Sequence, residues 1–224
     1  MSTTPSPKAP RRADHLRNQT ALLKAARAVF AEQGADASIG EVVRRAGFAK
    51  GTFFRHFATK EVLVQALLAD RLTKLGEIAS EVNTGSEPGW STLCLMMERI
   101  LDHIADDRSL AEFMDRGDPI QTTAQIKSAR QALADELDRA VRGAQAMGEV
   151  RPDVTASDFP AIMFMITRAT ARHYTSHPRL GRRYLRLFLD GIRSANTSDL
   201  GEPPLTRAEM ELTQHCPPAP AADK

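Results

Sequence analysis

Between positions 50 and 60 the chain gathers side chains that donate hydrogen bonds or carry positive charge: Lys50, Thr52, Arg55, His56 and Lys60, set among Phe53, Phe54 and Phe57. Lysine or arginine in a groove reads guanine, and threonine offers a base edge both a hydroxyl and a methyl. Histidine and lysine also suit phosphate oxygens. The segment is too basic and too narrow for a core helix, so its chemistry is contact with a polyanion. Such donors must be held out from a scaffold, and the preceding residues supply one. Ile39, Val42, Val43 and Ala46 recur at helical spacing, and Ser38 with Glu41 fits a capping box. Gly47 can take the left-handed backbone that ends a helix. Phe48, Phe53 and Phe57 then form the apolar underside of a second short helix over residues 50–57. Two short helices around a glycine turn, the second presenting donors, fit a helix-turn-helix reading a major groove. The same spacing also fits a helical hairpin in an all-α core with its charges on a solvated face.

Residues 46–63, AGFAKGTFFRHFATKEVL, resemble the signature of the tetracycline-repressor (TetR) family of bacterial transcription regulators. Residues 22–34, LLKAARAVFAEQG, are similar to that family's first helix. The likeness covers about the first third of the chain, with helix, turn, helix and following helix in order. It implies DNA contacts at Lys50, Gly51, Thr52, Phe54, Arg55, His56 and Lys60, with Arg17 and Arg44 placed to touch the backbone. There are two departures. Phe54 stands where the family commonly has tyrosine, which removes one phosphate hydrogen bond. Ala49 stands where serine is frequent, which removes a helix cap worth about 1 kcal/mol. The resemblance also implies a non-enzymatic homodimer on a palindromic DNA operator, released by a small-molecule effector that shifts the fourth helix, with no cofactor.

Composition agrees with a DNA-binding head on a separate body. Residues 1–60 hold 11 Lys and Arg against 4 Asp and Glu, whereas the remainder holds 19 against 24. A basic end coinciding with the motif is the footprint of a polyanion-binding domain. Aromatics are sparse at 5% and long alternating β-branched runs are absent, which predicts an all-α fold. No apolar run is long enough to span a bilayer, the N-terminus lacks a signal peptide's apolar segment, and Cys94 and Cys216 give neither a disulfide framework nor metal spacing. The expected setting is a reducing cytoplasm. An all-α enzyme or small-molecule carrier is the rival class. No nucleophile–base pairing, phosphate-cradling glycine loop or metal set supports it.

Four regions are expected: a disordered basic arm over 1–14, a helix-turn-helix domain over 15–62, a helical effector-binding and dimerisation domain over 63–197, and a proline-rich tail over 198–224. Leu22, Leu23, Ala26, Val29 and Phe30 make the buried stripe of the first helix, and Thr59 caps a long fourth one. Ser109 with Glu112 fits another capping box, for a short helix ending at Gly117. Residues 158–174 and 179–194 are apolar on two faces, so they need two burial partners: the subunit's own core and a second copy of the chain. Met and aromatic residues suit an adaptable apolar site, which makes Trp90, Cys94, Met97, Phe113, Met114, Met163 and Thr167 the candidate pocket lining. Asp102, His103, Asp106 and Asp107 read as a hydrated helix face, not a metal site.

Overall fold

The computed structural model describes residues 9–115, 120–195, 198–206 and 209; among them the regular elements are helices joined by turns and loops, with one isolated bridge between Val150 and Arg193. The chain divides into two compact units, Met1–Leu68 with Asp107–Ile120, and Ala69–Asp106 with Gln121–Lys224.

In the first unit, α1 is Ala9–Gln33, α2 Ile39–Ala46, α3 Lys50–His56 and α4, which begins here, Lys60–Gly85. The helix α1 starts earlier than expected. Residues 9–14 of the presumed arm are helical, because Pro10 falls in the first turn, where its missing N–H interrupts no bond. Residues 1–8 lie outside the described part. Leu22, Ala26 and Val29 are fully buried and Phe30 nearly so, while Leu23 is only half-buried. Ser38 caps α2 by accepting from the Glu41 N–H at 3.2 Å. Glu41 does not complete the reciprocal half of the box: its carboxylate pairs with Arg44 and takes a 3.4 Å bond from Gln33. Gly47 ends α2 at φ 71°, its N–H returning to the last turn. Thr59 opens α4 by accepting from the Val62 N–H at 3.3 Å.

Residues 107–115 belong to this first unit and not, as the sequence suggests, to the body. Leu110 is fully buried, Phe113 of α6 (Ala111–Asp115) meets Phe30 edge-on at 5.1 Å, and Arg27 pairs with Asp107 at 3.8 Å. The expected capping box does not form. The Ser109 hydroxyl donates to Asp107 at 2.6 Å, and Glu112 reaches across to accept from the Ala35 N–H at 2.7 Å. A carboxylate seeking an unpaired backbone donor found one outside its own helix. The expected end at Gly117 lies outside the described residues. By packing, the chain up to Leu68 and residues 107–115 group with the first unit, where the sequence suggests a boundary at 62/63.

The second unit packs the rest of α4 with α5 (Trp90–Asp106), α7 (Ala124–Ala146), α8 (Asp158–Thr170), a single 3₁₀ turn (Ala171–His173) and α9 (Leu180–Gly191). Ile78, Ala79, Leu93, Met96, Leu137, Val141, Phe159 and Leu185 are buried in one continuous core. Thr123 caps α7 by accepting from Ile126 N–H at 3.2 Å, and Asp158 reaches back to the Thr155 N–H at 2.8 Å. Phe159 meets Phe188 edge-on at 5.6 Å, joining α8 to α9. The presumed tail is anchored where it begins, because buried Arg151 donates to the Ser198 carbonyl at 2.5 Å while paired with Asp153. No described helix is long and apolar enough to cross a membrane.

Gly34 is where the first unit's packing is least forgiving. It follows α1 at φ 74°, and a Cβ there would lie 1.7 Å from the Glu112 carboxylate. Gly34→Ala is expected to destabilise the protein by more than about 1 kcal/mol, read as a fall in Tm. Adding Glu112→Ala removes the clash and leaves the backbone strain, so the double variant should lose less than the two singles combined.

Candidate nucleic-acid interface

Burial divides the short helix α3 into two sides. Phe53 and Phe57 beneath it are 0% and 1% exposed, whereas Lys50, Gly51, Phe54 and Arg55 are exposed. Positions three and four apart are neighbours on a helix surface, and 50/54, 51/54 and 51/55 have that spacing, so these residues form a single stripe. Thr52 is half-buried at its edge. Phe54 is 52% exposed and held edge-on against Phe53 at 5.3 Å. It lacks a tyrosine's hydroxyl but presents an apolar ring of the kind that meets a thymine methyl. Ala49 precedes α3 in extended backbone and makes no side-chain cap, as its residue type dictates.

The flanking cations are present but engaged. Arg44 pairs with Glu41 and Arg17 with Asp14, both on the exposed surface of the unit. Arg45 holds Glu32 through two bonds of 2.6 Å. These partners hold the Glu41 and Glu32 carboxyls below the usual glutamate value, chiefly through the arginine hydrogen bonds. Exposed pairs of this kind contribute little stability, so a phosphate can replace the carboxylate at small cost. His56 is half-buried, and its ring lies 4.1 Å from that of His15 on α1.

Lys60 departs most from expectation. Its ammonium turns inward, donating to the Ala35 carbonyl at 2.5 Å and the Ala37 carbonyl at 2.7 Å. It also lies 5.5 Å from the Phe30 ring centroid and 5.9 Å from that of Phe113. An ammonium has three donors, so one is left for an outside acceptor. In this arrangement Lys60 first ties the start of α4 to the α1–α2 turn. Nothing in the local sequence signals this, because its partners are backbone carbonyls 23 and 25 residues away.

The candidate effector residues do not come together as one set. Met97 and Met163 are buried in the body core, Trp90 and Cys94 pack against it half-buried, and Thr167 is half-buried on α8. Phe113 and Met114 belong to the first unit instead, Phe113 being fixed there by Phe30 while Met114 is 43% exposed. The Thr167 hydroxyl donates to the Met163 carbonyl at 2.8 Å, so it is engaged within its own helix. The Arg193 guanidinium covers the Trp90 ring at 4.5 Å. Burial, then Glu98, pushes the Cys94 thiol up to about 11, which keeps it protonated and unreactive. Of the presumed hydrated acids, Asp102 binds Arg182 and Asp106 accepts from Tyr174 at 3.0 Å.

Two stretches of the chain match known protein families. Residues 22–67 match the family described as bacterial regulatory proteins, tetR family, and residues 90–194 match the C-terminal domain of SbtR-like transcriptional regulators. The HTH-type transcriptional regulator YvdT of Bacillus subtilis is 37% identical over 34% of this chain, but the match spans only 40% of that protein's length. The HTH-type transcriptional regulator UidR of Escherichia coli is 29% identical over 66% of this chain and 77% of its own. The crystal structure of a TetR transcription regulatory protein from Mycobacterium vanbaalenii superposes with a TM-score of 0.58 at 29% identity, covering 82% of this chain and 99% of that one.

Replacing Lys60 by methionine strands the Ala35 and Ala37 carbonyls. The expected loss is about 1–3 kcal/mol of stability, measured by urea unfolding of the full chain.

Proposed function

This chain belongs to the tetR family of bacterial regulatory proteins, and we propose that it is a homodimeric repressor, working in the cytoplasm, that leaves a palindromic operator when a small molecule binds its body. The observation that carries this reading is the exposed stripe of Lys50, Gly51, Phe54 and Arg55 on a helix whose opposite side is locked by Phe53 and Phe57. The stripe belongs to a segment with a strong excess of positive charge. A short helix of this kind inserts its outer side into a major groove, with Lys50 and Arg55 at guanine edges or adjacent phosphates and Thr52 at the rim. Arg17 and Arg44 exchange their surface carboxylates for phosphates. His56 stands at the backbone end of the helix, and Lys60 has one donor left for the same strand.

Two heads on one side of a duplex require two copies of the chain. The dimer reading is supported by Phe164 and Met165 on α8 and by Tyr184 and Leu187 on α9. These are 43%, 55%, 41% and 59% exposed although the opposite sides of both helices are buried in the core. Large apolar side chains gathered on neighbouring helices are a surface that association covers. The heads of such a dimer then meet half-sites about 34–36 Å apart or a multiple of it.

An effector acts only by its difference in affinity between the operator-binding and operator-free states. The Met97 and Met163 region of the body, with Trp90, Cys94 and Thr167 around it, is the apolar ground on which that difference would develop.

The reading is tested by selecting duplexes from a random-sequence pool with the purified full chain. A recovered palindrome bound with a steep inverse salt dependence is expected; recovery of no preferred sequence at physiological salt overturns it. Gly51 gives a sharper check, since nothing in the protein lies within 4 Å of a Cβ placed there. Gly51→Ala should leave the fold intact or stabilise it by up to about 1 kcal/mol, yet weaken operator binding in a mobility-shift titration, because the missing side chain admits the duplex. Leu187→Glu should convert the dimer to monomer in light scattering and weaken operator binding with it.

A further inference from the structure

At the end of α3 the structure sets two imidazoles against each other. The rings of His15 and His56 lie 4.1 Å apart between centroids and 31° from parallel. His15 is exposed on α1, whereas His56 is half-buried beside Phe57, with ring centroids 6.3 Å apart. The His56 Nδ1 is buried and has no hydrogen-bond partner among the described residues, which is uncommon for a buried polar nitrogen. Stacked rings aim their nitrogens outward in separate planes, so they do not converge on a metal ion. What the pair offers is stacked apolar faces with ring N–H groups at the rim.

The charges around the pair are mostly positive. On α1, Asp14 and Arg17 flank His15 and are paired with each other. On α3, Arg55 is adjacent to His56, and residues 57–59 leading into α4 carry no charge. Burial first, then His15, then Arg55, hold His56 below the usual histidine value. The charge this corner lacks is a negative one, and a phosphodiester supplies it.

We propose that His15 and His56 form a proton-linked clamp for a DNA backbone phosphate, in which exposed His15 takes a proton from solvent and donates an N–H to the phosphate while neutral His56 holds its ring from beneath. This rests on the DNA-binding function proposed above, and it adds to that function a contact from α1 and a dependence on pH. The complex carries one more proton per head than its separated parts, so affinity rises as pH falls. Each linked proton changes Kd by at most about tenfold per pH unit.

The experiment uses the full chain and a duplex selected by it from a random-sequence pool. Fluorescence anisotropy at constant ionic strength follows Kd from about pH 8 to about pH 6, the range that brackets an ordinary histidine. Wild type should tighten on the order of tenfold across that range. His15→Gln, at an exposed position, should fold normally, bind nearly as wild type does at the alkaline end, and lose the pH slope. His56→Gln should flatten the slope as well, and calorimetry in two buffers of different ionisation enthalpy should show the proton uptake in wild type alone. A flat wild-type profile, or a His15→Gln profile with the wild-type slope, overturns the clamp while leaving DNA binding standing. Failure to select any duplex removes the DNA-binding function, and the clamp falls with it.

Discussion

A seven-residue helix does not persist in water on its own, because nucleation costs more than so few hydrogen bonds return. The helix α3 exists because Phe53 and Phe57 are driven completely out of solvent on one side of it. That burial fixes the rotation of the helix about its axis. Rotation in turn decides that Lys50, Gly51, Phe54 and Arg55 face outward together. No hydrogen bond from a capping side chain assists, since Ala49 has none to give. The presentation of the cationic stripe is thus a consequence of apolar packing, and charge plays no part in forming it. Charge enters only when a partner of opposite sign approaches.

The rest of the first unit is organised around the turn between α1 and α2. Gly34 enters it with a left-handed backbone, Glu112 takes its Ala35 N–H, and Lys60 takes its Ala35 and Ala37 carbonyls. The two rings beneath Lys60, Phe30 and Phe113, meet edge-on and leave room for an ammonium over both. A backbone segment that would otherwise have loose ends is satisfied by side chains from the start of α4 and from α6. Both of those elements are continuous in the chain with helices of the body.

The body solves a different problem, covering helices that are apolar on more than one side. Residues such as Phe159, Met163, Leu185 and Leu189 are covered within the subunit, whereas Phe164, Met165, Tyr184 and Leu187 are not. Polar side chains hold the arrangement at its margins: Arg182 with Asp102, Arg151 with Asp153, and Asn83 with Glu136 at 2.7 Å. The apolar core sets how closely the helices approach, and these pairs define register at their ends.

The sequence by itself determined whatever depends on neighbours a few residues away. Helical periodicity located the long helices, although α1 begins about six residues before its expected start, Ser38 and Thr59 capped the helices that follow them, and Gly47 ended α2, because each of these features is written in local hydrogen bonding and backbone freedom. The α3 stripe and the phenylalanines under it were legible for the same reason. Tertiary structure decided the rest. Ser109 and Glu112 carry the spacing of a capping box, yet Glu112 bonds Ala35, 77 positions distant. Lys60 has the chemistry of a phosphate contact, yet folds onto carbonyls at the α1–α2 turn, and Phe113 leaves the presumed pocket for Phe30. His15 gained a partner in His56 that no spacing rule could foresee. Local patterns state what a side chain is able to bind, but competition among all the groups that packing brings near decides what it does bind.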